Sequence, residues 1–111
     1  MRSNVNQIMS APLRRTLRAL GHNIQVARRR RRLSVAMMLE RTGMSKATLQ
    51  RVEAGEPTVA IGAYAQCLQV LGLAGGLAHL ADAGTDEAGL LLEEEQLPKR
   101  VRGKKNQGDG V

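Results

Sequence analysis

The sequence predicts a small all-α protein of about five helices. Its apolar residues recur three and four positions apart, which is the spacing of helices that bury one face. Tyr64 is the only aromatic residue among the 111, so the core must be built from aliphatic side chains. Between residues 33 and 55, two short helical patterns flank a glycine turn, and the rest of the chain is arranged around this pair.

The length of the chain suits one small domain with tails. We divide it into a flexible N-terminus (1–11), a helical domain (12–83) and an acidic, then basic, C-terminal tail (84–111). Because Cys67 is the only cysteine, no internal disulfide can form, and a reducing cytoplasm is the expected compartment. No stretch reaches the roughly 18 apolar residues that a membrane-spanning helix needs, so no membrane partner is expected.

The formal net charge of +7 is unevenly distributed along the chain. Residues 1–59 hold twelve Arg or Lys and three Glu, residues 60–97 hold six acids and no Arg or Lys, and the remainder holds five bases and one acid. A basic first half, an acidic middle and a basic end predict separate partners for separate parts of the chain.

The first long helical pattern begins at Pro12, a residue well placed at the start of a helix. Its apolar face is formed by Leu13, Leu17, Leu20, Ile24 and Ala27. Gly21 leaves open whether this is one kinked helix or two.

Five consecutive arginines, residues 28–32, end this pattern. Cations at a helix C-terminus complement its dipole, but that explains only one or two of them. Runs of this kind are typical of nucleic-acid or membrane-surface patches. Because no amphipathic face with large anchors accompanies the run, we interpret it as a contact for DNA phosphates rather than for a membrane.

Two short helices are predicted next, over residues 34–42 and 45–54. Ser34 and Ser45 are suited to N-cap them, because a hydroxyl oxygen accepts bonds from the free amides of a first helical turn. Gly43 allows the left-handed backbone that commonly ends a helix. Together they form a helix-turn-helix arrangement, although the pattern also fits a plain helical hairpin whose polar face is only solvated.

In a helix-turn-helix the second helix lies in the major groove, with its N-terminal residues toward the base edges. Lys46 is suited to guanine, Ala47 to a thymine methyl group, and Arg51 to a guanine or a phosphate. The expected base contacts are Lys46, Ala47, Thr48, Gln50 and Arg51. The expected phosphate contacts are Arg29, Arg30, Arg31, Arg32, Ser34 and Ser45.

The helix pair resembles the Xre/lambda-repressor family of DNA-binding proteins. The resemblance covers residues 20–72 at least, and it implies a lambda-repressor-like fold. The residues that carry it are Leu33-Ser34, Gly43-Met44-Ser45, Thr48-Leu49 and Val52-Glu53-Ala54-Gly55.

The resemblance also implies an ion pair between Arg28 and Glu53 inside the domain. The alternative is that both side chains are simply solvated. Two departures from the family stand in the first helix of the pair. Val35 occupies a position that is usually Gln, so no phosphate contact is expected there. Met38-Leu39 stands where the family usually has Leu-Ala, so we expect the packing between the two helices to differ.

Residues 59–71 predict a further amphipathic helix. Its expected inward residues are Ile61, Tyr64, Ala65, Leu68 and Leu71. Residues 73–83 predict a short apolar helix broken by Gly75-Gly76. His79 has no His or Cys partner at ligand spacing, so neither a metal nor a cofactor is expected.

The C-terminal segment combines apolar, acidic and basic stretches. Residues 90–92 and the three glutamates after them predict a short strand or a helical turn suited to a protein contact. The basic end, residues 97–105, is expected to be disordered when free. With this tail the chain resembles the HipB-like antitoxins. That resemblance implies a homodimer that represses its own operon from an inverted-repeat operator and binds a HipA-like kinase toxin.

We therefore predict a sequence-specific transcriptional repressor of double-stranded DNA, acting as the antitoxin of a HipBA-like operon in the cytoplasm, in association with the nucleoid. One alternative is a stand-alone phage-type Xre repressor without a toxin partner. The other is a basic adaptor that binds an acidic protein or RNA. No enzyme is expected, because the sequence offers no catalytic triad or dyad, no metal-ligand cluster and no phosphate-binding glycine loop.

Overall fold

The computed structural model describes residues 8–101, with side chains described for 8–96. Over that range the chain is helical and contains no strand, which confirms the predicted all-α class. The elements are α1 (Ala11–Arg30), α2 (Val35–Thr42), α3 (Lys46–Glu53), α4 (Ile61–Val70), a 3-10 helix (Ala74–His79) and α5 (Glu87–Val101). Two compact units are formed, the first ending at Leu77. The predicted boundary between residues 83 and 84 falls within the second.

Helix α1 is one continuous helix. Ser10 caps its start, because the Leu13 amide donates to the Ser10 hydroxyl at 3.3 Å. Gly21 is the point at which α1 meets the end of α3. A Cβ atom added at Gly21 would lie 2.5 Å from both Gly55 N and Val52 O. Gly21 is therefore explained by close backbone packing between two helices and not by a break in α1.

The core of the first unit lies where its four α-helices meet. It consists of Ile24, Ala27, Leu33, Met38, Leu49, Val52, Tyr64, Cys67, Leu68 and Leu71. The Tyr64 hydroxyl donates to the Glu56 carbonyl at 2.7 Å, and burial raises the pKa of that phenol. Burial also raises the pKa of the Cys67 thiol to about 11, so this thiol stays protonated and packs as a small apolar group.

Ile61 and residues 73–83 depart from the sequence-based expectations. Ile61 was expected to face inward, but it is 75 % exposed because α4 begins only at Ile61 and its first turn projects beyond the core. The segment after Gly72 forms a six-residue 3-10 helix instead of an apolar α-helix, and Leu80 beyond it is exposed.

Helix α5 extends to Val101 and is longer than the turn or strand expected from its leucines. The expected disorder of the basic end when free stays a prediction. Asp86 starts this helix, because its carboxylate accepts from the Gly89 amide at 3.1 Å. Glu87 in the first turn complements the helix dipole. The flexible N-terminus as far as residue 7, and the end of the basic tail from residue 102, were predictions that lie outside the described residues.

Candidate nucleic-acid interface

Helices α2 and α3 are bounded by the caps that the sequence indicated. The Ser34 hydroxyl accepts from the Met37 amide, and the Ser45 hydroxyl accepts from the Thr48 amide, both at 3.1 Å. Gly43 ends α2 with a φ of +77°, in the left-handed region where glycine is favoured. Each helix therefore has an encoded start, and the turn between them is held to three residues.

Helix α3 has one buried face and one exposed polar face. Leu49 and Val52 are buried in the core. The exposed face carries Lys46, Ala47, Gln50 and Arg51. These positions are i, i+1, i+4 and i+5, which share one side of a helix. Four of the five residues expected to contact bases thus lie together.

Thr48 is the exception. It is partly buried, and its hydroxyl accepts from the Ser45 hydroxyl at 3.0 Å. The pair closes the first turn of α3, so Thr48 lies at the margin of the exposed face. Ser45, predicted to donate to a phosphate, already donates its hydroxyl proton to Thr48, whereas the hydroxyl proton of Ser34 has no acceptor among the described residues.

The C-terminal end of α3 is fastened to α1 by a buried ion pair. Arg28 Nε donates to Glu53 Oε2 at 2.7 Å, and Arg28 Nη2 donates to Glu53 Oε1 at 3.1 Å. Gln25 adds a bond to the same carboxylate at 3.2 Å. Both charged side chains are less than a tenth exposed. The bond from Glu53 raises the pKa of Arg28 against the opposing effect of burial.

Arg28 also determines the path of the chain into α2. Its Nη1 donates to the Leu33 carbonyl at 2.9 Å, in the connection between α1 and α2. One guanidinium therefore joins α1, the α1–α2 connection and α3. This contact fixes the orientation of the exposed face of α3. Arg28 is buried and uses three of its five N–H groups within the domain, so it is not available to contact DNA.

The four arginines that follow Arg28 separate into two groups. Arg31 Nη1 donates to the Ala27 carbonyl at 2.9 Å and so caps the end of α1. Arg29, Arg30 and Arg32 are exposed, and among the described residues their guanidinium groups form no hydrogen bond or ion pair. The sequence did not distinguish Arg31 from Arg29, Arg30 and Arg32, because only the helix geometry decides which of them reaches a carbonyl.

Arg32 stands in an unusual backbone position. The Leu33 amide donates to the Arg28 carbonyl and the Arg32 amide to the Arg29 carbonyl, which is the Schellman arrangement at the end of a helix. Arg32 occupies its left-handed residue, with a φ of +56°. The same arrangement ends α3 and α4, and there the left-handed residues are Gly55 and Gly72. Arginine in this position is strained, whereas glycine adopts it readily.

We expect Arg32→Gly to affect the stability of the protein and its affinity for DNA differently. Glycine removes a left-handed strain of about 1–2 kcal/mol, offset by its larger unfolded-state entropy of about 0.5–1 kcal/mol. The free energy of unfolding in urea should stay level or rise, while affinity for duplex DNA falls. Arg32→Ala, which keeps the strain, is the control and should lose affinity without a gain in stability. A variant that binds DNA like the wild type would contradict this assignment of Arg32.

Within residues 8–96, no group of three His, Cys, Asp or Glu side chains is placed to hold a metal ion. No helix in the described part of the chain is long and apolar enough to cross a membrane.

The comparison with known families identifies this helix pair. Residues 19–81, more than half of the chain, match the helix-turn-helix domain family, and the match includes α2, the turn and α3. The chain belongs to this family. Its helix-turn-helix domain is that of a DNA-binding regulator. The first two turns of α1 and the whole of α5 lie outside the matched range. No curated protein and no solved structure matches the chain.

Proposed function

We propose that this protein is a sequence-specific repressor that binds double-stranded DNA with α3 in the major groove. The observation that carries the proposal is the exposed face of Lys46, Ala47, Gln50 and Arg51 on a helix fixed by the Arg28–Glu53 pair. A rigidly held helix presents its side chains to base edges in one register, which is the requirement for reading sequence.

The chemistry of this face suits a mixed base sequence. Lys46 and Arg51 are donors for the acceptor atoms of guanine, and Gln50 can pair with both the donor and the acceptor that adenine offers. Ala47 is small and apolar, as a thymine methyl group requires. Sequence preference is therefore assigned to α3.

Arg29, Arg30 and Arg32, the exposed arginines of the run that we call the free arginines, supply affinity that does not depend on DNA sequence. They lie at the end of α1, a helix that contains no acidic residue, so no carboxylate of their own helix neutralises their charges. Phosphate contacts set the register and orientation of a protein on the duplex. Neutralising phosphates also releases counterions, and binding should consequently weaken as salt is raised. Ser34 lies with Arg32 on the connection that follows α1, and we assign its hydroxyl to a phosphate as well.

The division of labour is tested by two substitutions. Lys46→Ala should cost about 1–3 kcal/mol on the operator and little on random DNA, because it removes a base contact. Arg30→Ala should weaken binding to both duplexes and lower the salt slope by about one, because it removes a phosphate contact. Fluorescence anisotropy at several salt concentrations measures both effects.

Arg31→Ala is the matched control for Arg30→Ala. It makes the same change in charge one residue away, but the guanidinium it removes is bound to the Ala27 carbonyl. Its effect on the salt slope should be clearly smaller. Equal losses on operator and random DNA for Lys46→Ala and Arg30→Ala would refute the separation of base and phosphate contacts.

We further propose that the protein acts as a homodimer on an inverted-repeat operator and represses by occupying a promoter, close to the nucleoid in the cytoplasm. Two copies related by a twofold axis match the symmetry of such a site. Repression of its own operon as an antitoxin, with a HipA-like kinase toxin as partner, is supported by the resemblance of the tail and by the exposed acidic helix α5. Co-purification with the product of the adjoining gene tests the antitoxin role. A neighbouring gene that encodes no kinase would favour the stand-alone repressor.

A further inference from the structure

We propose that two copies of this protein associate through the first two turns of α1 on one copy and α5 on the other. The proposal rests on the homodimer part of the function proposed above, and it names the surfaces of that dimer. Both helical segments lie outside the residues matched to the helix-turn-helix domain.

The α1 surface is a leucine stripe bordered by arginines. Leu13 and Leu17 are four residues apart, which places them on one side of the helix. Leu13 is 47 % exposed, and Leu17 is half-buried. Arg14 and Arg18 follow these leucines along the adjacent side. From Ala11 to Thr16 every residue is exposed, so the core of the domain does not account for these two turns.

An open cleft of about 360 Å³ borders this stripe. It lies between the two arginines and residues 54–57, the turn that follows α3. Glu56 is the one acidic residue among those that line the cleft, and two arginines line it. Arg14 Nε donates to the Met9 carbonyl at 3.2 Å, so Arg18 is the side chain on which the test depends. The cleft can receive acidic side chains from a partner.

The α5 surface has the complementary composition. Leu91 is 62 % exposed. Glu87, Glu94 and Glu95 lie four residues before, three after and four after it, and these spacings surround a residue on a helix surface. No Arg or Lys occurs between residues 60 and 97. An exposed leucine within an acidic ring on α5 therefore matches an exposed leucine beside arginines on α1.

A second copy is the occupant because each chain carries one surface of each kind. In a twofold dimer the α1–α5 contact forms twice, since residue i meets j and j meets i. Two such contacts double the buried area. A single pair of two-turn helices would bury well short of the roughly 1,000 Å² that a stable interface needs. The opposite charges of the two surfaces disfavour pairing of like with like.

Arg18→Glu tests the proposal in the full-length protein without DNA. Sedimentation equilibrium should show a dimer that dissociates at least about tenfold more readily, because reversal places like charges in contact. Arg15→Glu is the matched control. It makes the same charge change on the same helix, but Arg15 lies two positions from Leu13 and from Leu17, on the opposite side of α1. The control should dissociate like the wild type.

Charge exchange provides the rescue. As a single substitution, Glu94→Arg should weaken the dimer. In combination with Arg18→Glu it should restore the dimer. Glu93→Arg, on the other side of α5 from Leu91, should do neither. Equal dissociation of the Arg18→Glu and Arg15→Glu variants would overturn the interface while leaving a dimer through another surface. A monomeric wild type would overturn the interface and the dimer together. Binding of the wild type to a duplex with a single half-site reports on DNA recognition independently of both outcomes.

Discussion

Arg28→Ala should lower the free energy of unfolding by about 3–5 kcal/mol, the usual cost of removing one partner from a buried ion pair. The substitution leaves the Glu53 carboxylate buried without its cation, and it removes the donor to the Leu33 carbonyl. Small domains are stable by only about 5–15 kcal/mol, so this loss would be a large share of the total stability. Urea denaturation followed by circular dichroism measures this loss.

Arg29→Ala is the control for this prediction. It removes the same side chain one residue later, where the guanidinium is exposed and unpaired among the described residues. Its effect on stability should lie within about 0.5 kcal/mol. The two variants should also separate in binding, because Arg29 is assigned to phosphate and Arg28 is not. Equal stability of both variants would contradict a structural role for Arg28.

Gly21→Ala should be destabilising by about 3 kcal/mol or more, at the upper end of overpacking effects. The added methyl group would meet backbone atoms of Val52, Glu53 and Gly55 within 2.8 Å, and backbone cannot move aside as a flexible side chain can. Helices α1 and α3 would have to separate. The exposed face of α3 would then turn relative to the free arginines, so affinity for DNA should fall even in the folded fraction.

Gly62→Ala is the matched control, since Gly62 lies in α4 with no atom within 4 Å of an added Cβ. Alanine is a better helix former than glycine by up to about 1 kcal/mol, so this change should be neutral or stabilising. Thermal unfolding of both variants distinguishes the two environments. A Gly21→Ala protein as stable as the wild type would contradict the close packing of α1 on α3.

The helix-turn-helix was predictable because its signals are local. Ser34, Gly43 and Ser45 each act within one helical turn, so the sequence indicates the start of both helices and the end of the first. The alternation of buried and exposed positions on α3 follows from its period, and Leu49 and Val52 are buried as that period requires.

Other features depend on tertiary contacts that no local pattern contains. Ile61 continues the apolar stripe of α4, yet no neighbouring helix covers it within the first unit. In the sequence Gly21 resembles a helix breaker, but in the structure it is the site where α1 packs closely against the end of α3. The difference between Arg28, Arg31 and the free arginines arises from a rotation of about 100° per residue around α1, combined with the position of Glu53.

The sequence contains a helix-start signal for α5, but the composition of the surrounding segment favoured a different prediction. Asp86 followed by Glu87 is a helix-start signal, but the surrounding glycines and the acidic and basic runs favoured a tail. The side chains that carry the antitoxin resemblance lie largely beyond residue 96, so that part of the proposal depends on the sequence alone.

The most direct test of the central claim is the affinity of the protein for its own upstream DNA relative to a scrambled duplex, measured by fluorescence anisotropy at two salt concentrations. We expect tighter binding to the upstream DNA and a preference that persists at the higher salt, because base contacts depend less on counterion release than phosphate contacts do. Equal binding to both duplexes, lost together as salt is raised, would contradict a sequence-specific repressor and leave only a basic protein attracted to any polyanion.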